Sequence, residues 1–142
     1  SDKRWSARDS SSRGTRAHRA AASRPMHQPF AQMKARLMGA RYDLSFSYLG
    51  PTAMRRLNKT YRKKDTPTDI LAFSLDRTHG EIVMCKSMIA QKAKLFDMRT
   101  ADYERYLFIH GALHLKGHDH GRIMAKSEDR WCRVFGIPTP RR

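Results

Sequence analysis

The chain of 142 residues has the size of one domain, and a hydrophobic content of 39% supports a single small core. No apolar run approaches the length of a membrane span, and two distant cysteines, Cys85 and Cys132, lack disulfide-scaffold spacing and point to a reducing compartment. Lys+Arg number 29 against 13 Asp+Glu, a formal charge of +16, which favours a polyanionic partner. Nucleic acid is preferred to an anionic membrane, because no helix pairs a Lys/Arg face with a bulky apolar one.

The charge is not confined to a tail. Residues 1–25 hold 7 basic and 2 acidic residues, and the remainder of the chain 22 against 11, so the folded body is basic in its own right. Residues 1–25 are rich in Ser, Arg and Ala without a helical or strand period, which predicts a disordered basic arm or the remnant of an organellar targeting region. The globular domain is expected over 26–142.

Residues 30–39 predict a short helix with Met33 and Leu37 on one side and Gly39 ending it. Tyr42, Leu44, Phe46 and Tyr48 alternate with polar residues, the pattern of a half-buried strand. Gly50-Pro51 stops that strand and starts a helix to about residue 59. A turn over 65–68 precedes an apolar interior strand at 69–75; His79-Gly80 reads as a turn into a short strand at 81–84. Helices are predicted at about 87–98, 101–116 and 124–135, with Gly136 and Pro138 as stops. The expected fold is a single small α+β domain, a short mixed sheet packed with helices, carrying a metal site on a helix and the turn after it.

That site is read from residues 110–120, HGALHLKGHDH. His110 and His114 lie four apart on a predicted helix, so their imidazoles leave one face a turn apart and can share one zinc ion. Gly117 ends the helix, and the chain reverses so that His118 or His120 can supply a third ligand. Three protein ligands leave a fourth position for water, the pattern of a catalytic rather than a structural zinc site, and zinc lowers the pKa of such a water to about 7. A lone histidine pair four apart is as often a helix surface or a core pair; two more histidines after a glycine stop make the metal reading far more specific. The peptidase motif HExxH requires Glu at 111; Gly111 removes that general base and disfavours the metallopeptidase reading. A glycine inside a helix costs about 1 kcal/mol against alanine, which points to close packing on its face.

HGALHLKGHDH resembles the H-G-x-L-H-L-x-G-[HY]-D-H signature of the YbeY endoribonuclease family, bacterial and organellar rRNA maturation factors. Leu57-Asn58, Tyr61-Arg62 and the run from Thr66-Pro67-Thr68-Asp69 to Phe73 resemble N-x-x-Y-R and P-T-D-V-L-S-F of the same family, and Gly80-Glu81-Ile82-Val83-Met84-Cys85 resembles G-D-I-V-I-C. Ala72 stands where the family has Ser, Ser74 where Pro often follows Phe, the loop over 76–80 is short, and the family's first strand is not evident in residues 1–29.

The resemblance implies one Zn2+ per chain held by His110, His114 and His120, with His118 at a variable His/Tyr place and not a ligand. It makes Arg62 the functional arginine near the metal. Its planar, always-charged fork suits a scissile phosphate. Arg55, Arg56, Lys59, Lys63 and Lys64 crowd the same stretch and are expected to meet RNA backbone phosphates without reading sequence. Asp119 is expected either to orient an imidazole or to cap the turn at Gly117, and Asp69 to fix the turn into its strand. Tyr61, Tyr103, Tyr106, Trp131 and Phe135 are expected in the core, and Cys85 as a small buried hydrophobe.

The function implied is a zinc-dependent single-strand endoribonuclease of small-subunit rRNA maturation. The alternative is a non-catalytic assembly factor that docks on the nascent small subunit with structural zinc. Either implies small-subunit rRNA or its precursor and small-subunit proteins and assembly factors as partners, with no membrane and no small-molecule cofactor. The setting implied is a mitochondrial or other organellar matrix, or alternatively the bacterial cytoplasm.

Overall fold

A computed structural model describes residues 29–117 and 121–140, Met26, and the backbone of 6–8. Among these the elements run β1 (Ser6–Arg8), α1 (Phe30–Met38), β2 (Asp43–Tyr48), α2 (Pro51–Arg62), β3 (Ile70–Ser74), β4 (His79–Met84), α3 (Lys86–Leu95), α4 (Thr100–Leu115) and α5 (Arg122–Phe135). The α+β expectation holds, and most boundaries fall where glycine and proline placed them.

The sheet order is β1-β3-β4-β2. β3 and β4 are antiparallel, Ala72 opposite Ile82, and β2 runs parallel to β4, Phe46 opposite Ile82. β1 pairs in parallel with β3, Ala7 opposite Phe73. A strand at Ser6–Arg8 corrects the expectation that residues 1–25 lack regular structure; the rest of that arm lies outside the described residues. His79 and Gly80 open β4 rather than forming a separate turn, because Gly80 pairs with both Leu44 and Ser74.

Both faces of β3 and β4 are covered, so their sequences read as apolar runs rather than alternating ones. Ile70, Ala72, Ile82 and Met84 face a core built with α1, α3, α4 and α5. Leu71, Phe73 and Val83 face the other way, against Met54, Leu57 and Tyr61 of α2. Each such fully buried side chain contributes about 1.5–3 kcal/mol. Tyr61 packs edge-on against Phe73 at 5.0 Å between centroids, Tyr103 is buried, and Tyr106, Trp131 and Phe135 pack against the same core. Cys85 is fully buried. The aromatic and cysteine expectations hold.

Gly111 explains how α4 sits. A Cβ there would meet Ile70 Cδ1 at 3.1 Å and Ile82 Cδ1 at 3.2 Å, so the helix backbone lies almost directly on the sheet. The close packing expected from a glycine in a helix interior is present. α2 begins with Gly50 as N-cap and Pro51 in its first turn, and ends as Lys63 takes a left-handed conformation, φ 60°. The helix thus runs past residue 59, and Arg62 is its last residue.

Candidate metal centre and active-site cavity

His110 and His114 project from α4 and are both buried, with exposures of 7% and 8%. His118, Asp119 and His120 lie outside the described residues, and so does the choice between His118 and His120. Among the described residues no group of three metal-ligating side chains is complete.

The orientation of His110 is set from α5. The Nδ1 of His110 hydrogen-bonds Oε2 of Glu128, and the Tyr106 hydroxyl donates to Oε1 of the same carboxylate at 2.9 Å. A carboxylate accepts, so Nδ1 carries the hydrogen, and in the neutral imidazole Nε2 then keeps the lone pair that a metal requires. This carboxylate–imidazole arrangement is the usual support of a metal-bound histidine. Two buried imidazoles a helical turn apart, one of them held in the ligating tautomer, suit zinc chemically.

Glu128 was not singled out from sequence as a site residue. A signal was present: Met124, Glu128 and Cys132 fall four apart and form the buried face of α5, with Glu128 only 3% exposed. An acid in an apolar stripe needs a partner. Its partner lies 18 residues away on another helix.

Arg62, half-buried, shares a cavity of about 310 Å3 with His110. Asp69, Lys92, Tyr103 and Tyr106 also line it. Asn58 places Arg62 there: its buried Nδ2 donates to the Thr66 carbonyl at 2.8 Å and folds the chain after α2 back across the helix end. Asp69 does more than fix a local turn. It is buried, its Oδ2 accepts the Tyr103 hydroxyl at 2.8 Å, and it ties the start of β3 to α4. Burial first, and then the Asp69 charge, push the Tyr103 phenol far above its ordinary value, so it remains a donor.

The remaining basic residues of α2 do not converge on this cavity. Arg55 binds Asp65 through Nε at 2.7 Å and Nη2 at 3.1 Å, and Lys59 lies 4.0 Å from the same carboxylate. Arg56, Lys63 and Lys64 are exposed around the helix end.

A family model described as "Endoribonuclease YbeY" matches residues 10–132, a span that begins inside the N-terminal arm. A Solibacter usitatus protein named "Endoribonuclease YbeY" is 37% identical over 123 residues, 82% of each chain. A Carboxydothermus hydrogenoformans protein of the same name is 33% identical over 104 residues, 66% of this chain and 73% of its own. A Thermotoga maritima protein solved in solution superposes with a TM-score of 0.56 at 25% identity, covering 74% of this chain and 75% of that one. With that match over most of its length, and with the fold and the buried pair His110 and His114 in place, the chain belongs to the YbeY endoribonuclease family.

Proposed function

We propose that the protein is a zinc-dependent endoribonuclease that cleaves single-stranded RNA during small-subunit rRNA maturation. The observation that carries this reading is that Arg62 and His110 line one cavity, with His110 held by Glu128 in the tautomer a metal needs. His110, His114 and His120 would hold the zinc, whose chemistry is to acidify a water and to offset charge on a phosphoryl oxygen.

The chain's own groups supply the rest. The Arg62 guanidinium engages two non-bridging oxygens of the scissile phosphate and stabilises the charge that grows on them. Lys92 adds a second positive charge at the same cavity. Tyr106 and Glu128 hold His110 rigid, and the Tyr103–Asp69 bond keeps the cavity wall in place. Exposed Arg56, Lys59, Lys63 and Lys64 carry the backbone on either side.

A basic surface of this kind also fits docking on a nascent small ribosomal subunit without catalysis. Single-turnover cleavage of a model single-stranded RNA, with zinc content measured in parallel, decides between them. Zinc-dependent cleavage by wild type that is lost in Arg62→Ala supports the enzyme; binding without cleavage supports the assembly factor. The named relatives are bacterial, and we place this member in an organellar matrix on the Arg- and Ser-rich composition of residues 1–25.

A further inference from the structure

A second cavity, of about 730 Å3, opens where β3 turns into β4 and α4 ends. That is within the range of small-ligand sites. Its walls differ in chemistry. Met38, Leu75 and Leu115 form an apolar side, and Arg41, Arg77 and Lys116 a cationic one. The cations come from separate segments: the link between α1 and β2, the β3–β4 turn, and the residue that caps α4. Lys116 is anchored, its Nζ donating to the Leu37 carbonyl at 3.1 Å. The acid in the wall, Asp76, is already engaged by the Thr78 amide at 2.8 Å and by His79 Nδ1 at 2.8 Å.

Tyr42 also lines this cavity and is 92% buried, being 8% exposed. Among the described residues its hydroxyl has no hydrogen-bond partner. A Cβ at position 80 would overlap that hydroxyl, so Gly80 is what lets the ring lie there. Burial chiefly, with help from Asp76, raises the phenol to about 12, so it is a donor at any working pH. A buried, unused donor among cations and beside an apolar wall is unfavourable without a ligand that accepts from it.

From this arrangement we infer that the cavity is a nucleotide subsite of the RNA strand, with phosphate held by Arg41, Arg77 and Lys116 and a base lying on Met38, Leu75 and Leu115. The inference rests on the endoribonuclease reading and deepens it. Thr68 and Asp69, at the start of β3, line the Arg62 cavity; Ser74 and Leu75, at its end, line this one. A strand rises about 3.3 Å per residue, so the two cavities lie roughly 20 Å apart, a few nucleotides of extended RNA. α4 runs between them, and Leu115 to Gly117 form the cavity wall directly after His114. RNA crossing the histidine pair would meet Arg62 on one side and the cationic cavity on the other.

The test is anisotropy with the zinc-loaded full chain and a fluorescein-labelled, 2′-O-methylated single-stranded oligoribonucleotide, which binds without being cut. The double variant Arg41→Ala/Arg77→Ala should bind about tenfold more weakly, whereas Lys94→Ala/Arg130→Ala, with the same loss of charge elsewhere, should change affinity less than twofold. Tyr42→Phe should weaken RNA binding about threefold while leaving the melting temperature unchanged or higher, because an unused buried hydroxyl has been removed. Adenosine monophosphate should compete better than inorganic phosphate. Equal losses from the two double variants would overturn the subsite, as would full affinity in Tyr42→Phe, or phosphate competing as well as the nucleotide. Cleavage of unmodified RNA by wild type separates the readings. If wild type cleaves but the Arg41/Arg77 variant binds like its control, only the subsite fails; if wild type neither binds nor cleaves, the endoribonuclease reading fails with it.

Discussion

The carboxylate of Glu128 on α5 holds the imidazole of His110 on α4 through Nδ1, so the packing of two helices sets the direction in which Nε2 points. Replacing Glu128 by Gln keeps the shape but loses the charged acceptor. Zinc affinity of Glu128→Gln, measured by competition with a chromophoric chelator, should fall 10–100-fold. Glu128→Ala should in addition destabilise the fold by about 1–3 kcal/mol, since His110 and Tyr106 lose their buried acceptor. Unchanged zinc affinity in both variants would show that His110 is oriented by something else or does not ligate.

The ligand set has its own test. His114→Ala and His120→Ala should each lose zinc, and His118→Ala should retain about one per chain by elemental analysis. Loss of zinc from His118→Ala with retention in His120→Ala would reverse the assignment of the third ligand.

Arg62→Lys separates binding from chemistry. It should hold zinc and RNA nearly as wild type does, because the positive charge remains. Cleavage should slow about a hundredfold, on the order of 3 kcal/mol, because a point ammonium cannot make the paired hydrogen bonds of a guanidinium. Equal single-turnover rates for the two proteins would remove Arg62 from the chemistry.

The β3–β4 turn has a pH signature. His79 is pushed above its ordinary value, first by its bond to Asp76 and also by the charges of Asp76 and Asp43. A group whose folded pKa is raised contributes stability that is complete below its unfolded value, near 6.5, and is lost as pH rises through the folded value. Asp76 is held low, first by the Thr78 amide and then by His79, so its contribution fades only in acid. Wild type should therefore lose stability relative to His79→Gln as pH rises above about 6.5. Parallel melting curves across that window would show that the exposed contact is without effect.

RNA affinity should fall steeply with salt, because released counterions drive binding. Removing residues 1–25 should weaken affinity without abolishing it, since the rest of the chain keeps 22 basic against 11 acidic residues. Salt-insensitive binding, or complete loss on truncation, would contradict a basic docking face on the domain.

Much of this was legible in the sequence where local chemistry decides. Alternation from Tyr42 to Tyr48 marked β2, and Gly50-Pro51 marked the change into α2, because both signals act within a few residues. Ser6–Arg8 escaped because three residues carry no period and their backbone pairs with a strand more than sixty positions later. His79-Gly80 misled because a glycine is the common mark of a turn; here it makes room for the Tyr42 ring inside a paired strand. The histidine pair was evident from its spacing. The partner of His110 was not, because no local rule ties residue 110 to residue 128.

Gly111 gives the site a further property. With no side chain between α4 and the sheet, the height of His110 and His114 is fixed by the tips of Ile70 and Ile82. The two isoleucines act as shims beneath a mounted instrument. Trimming either to valine leaves every ligand in place yet lets the helix settle or tilt by a fraction of an ångström, on the scale to which metal–nitrogen distances are held. On the proposed zinc reading, metal affinity is thereby coupled to core volume, and substitutions behind the helix can tune the site as well as substitutions within it.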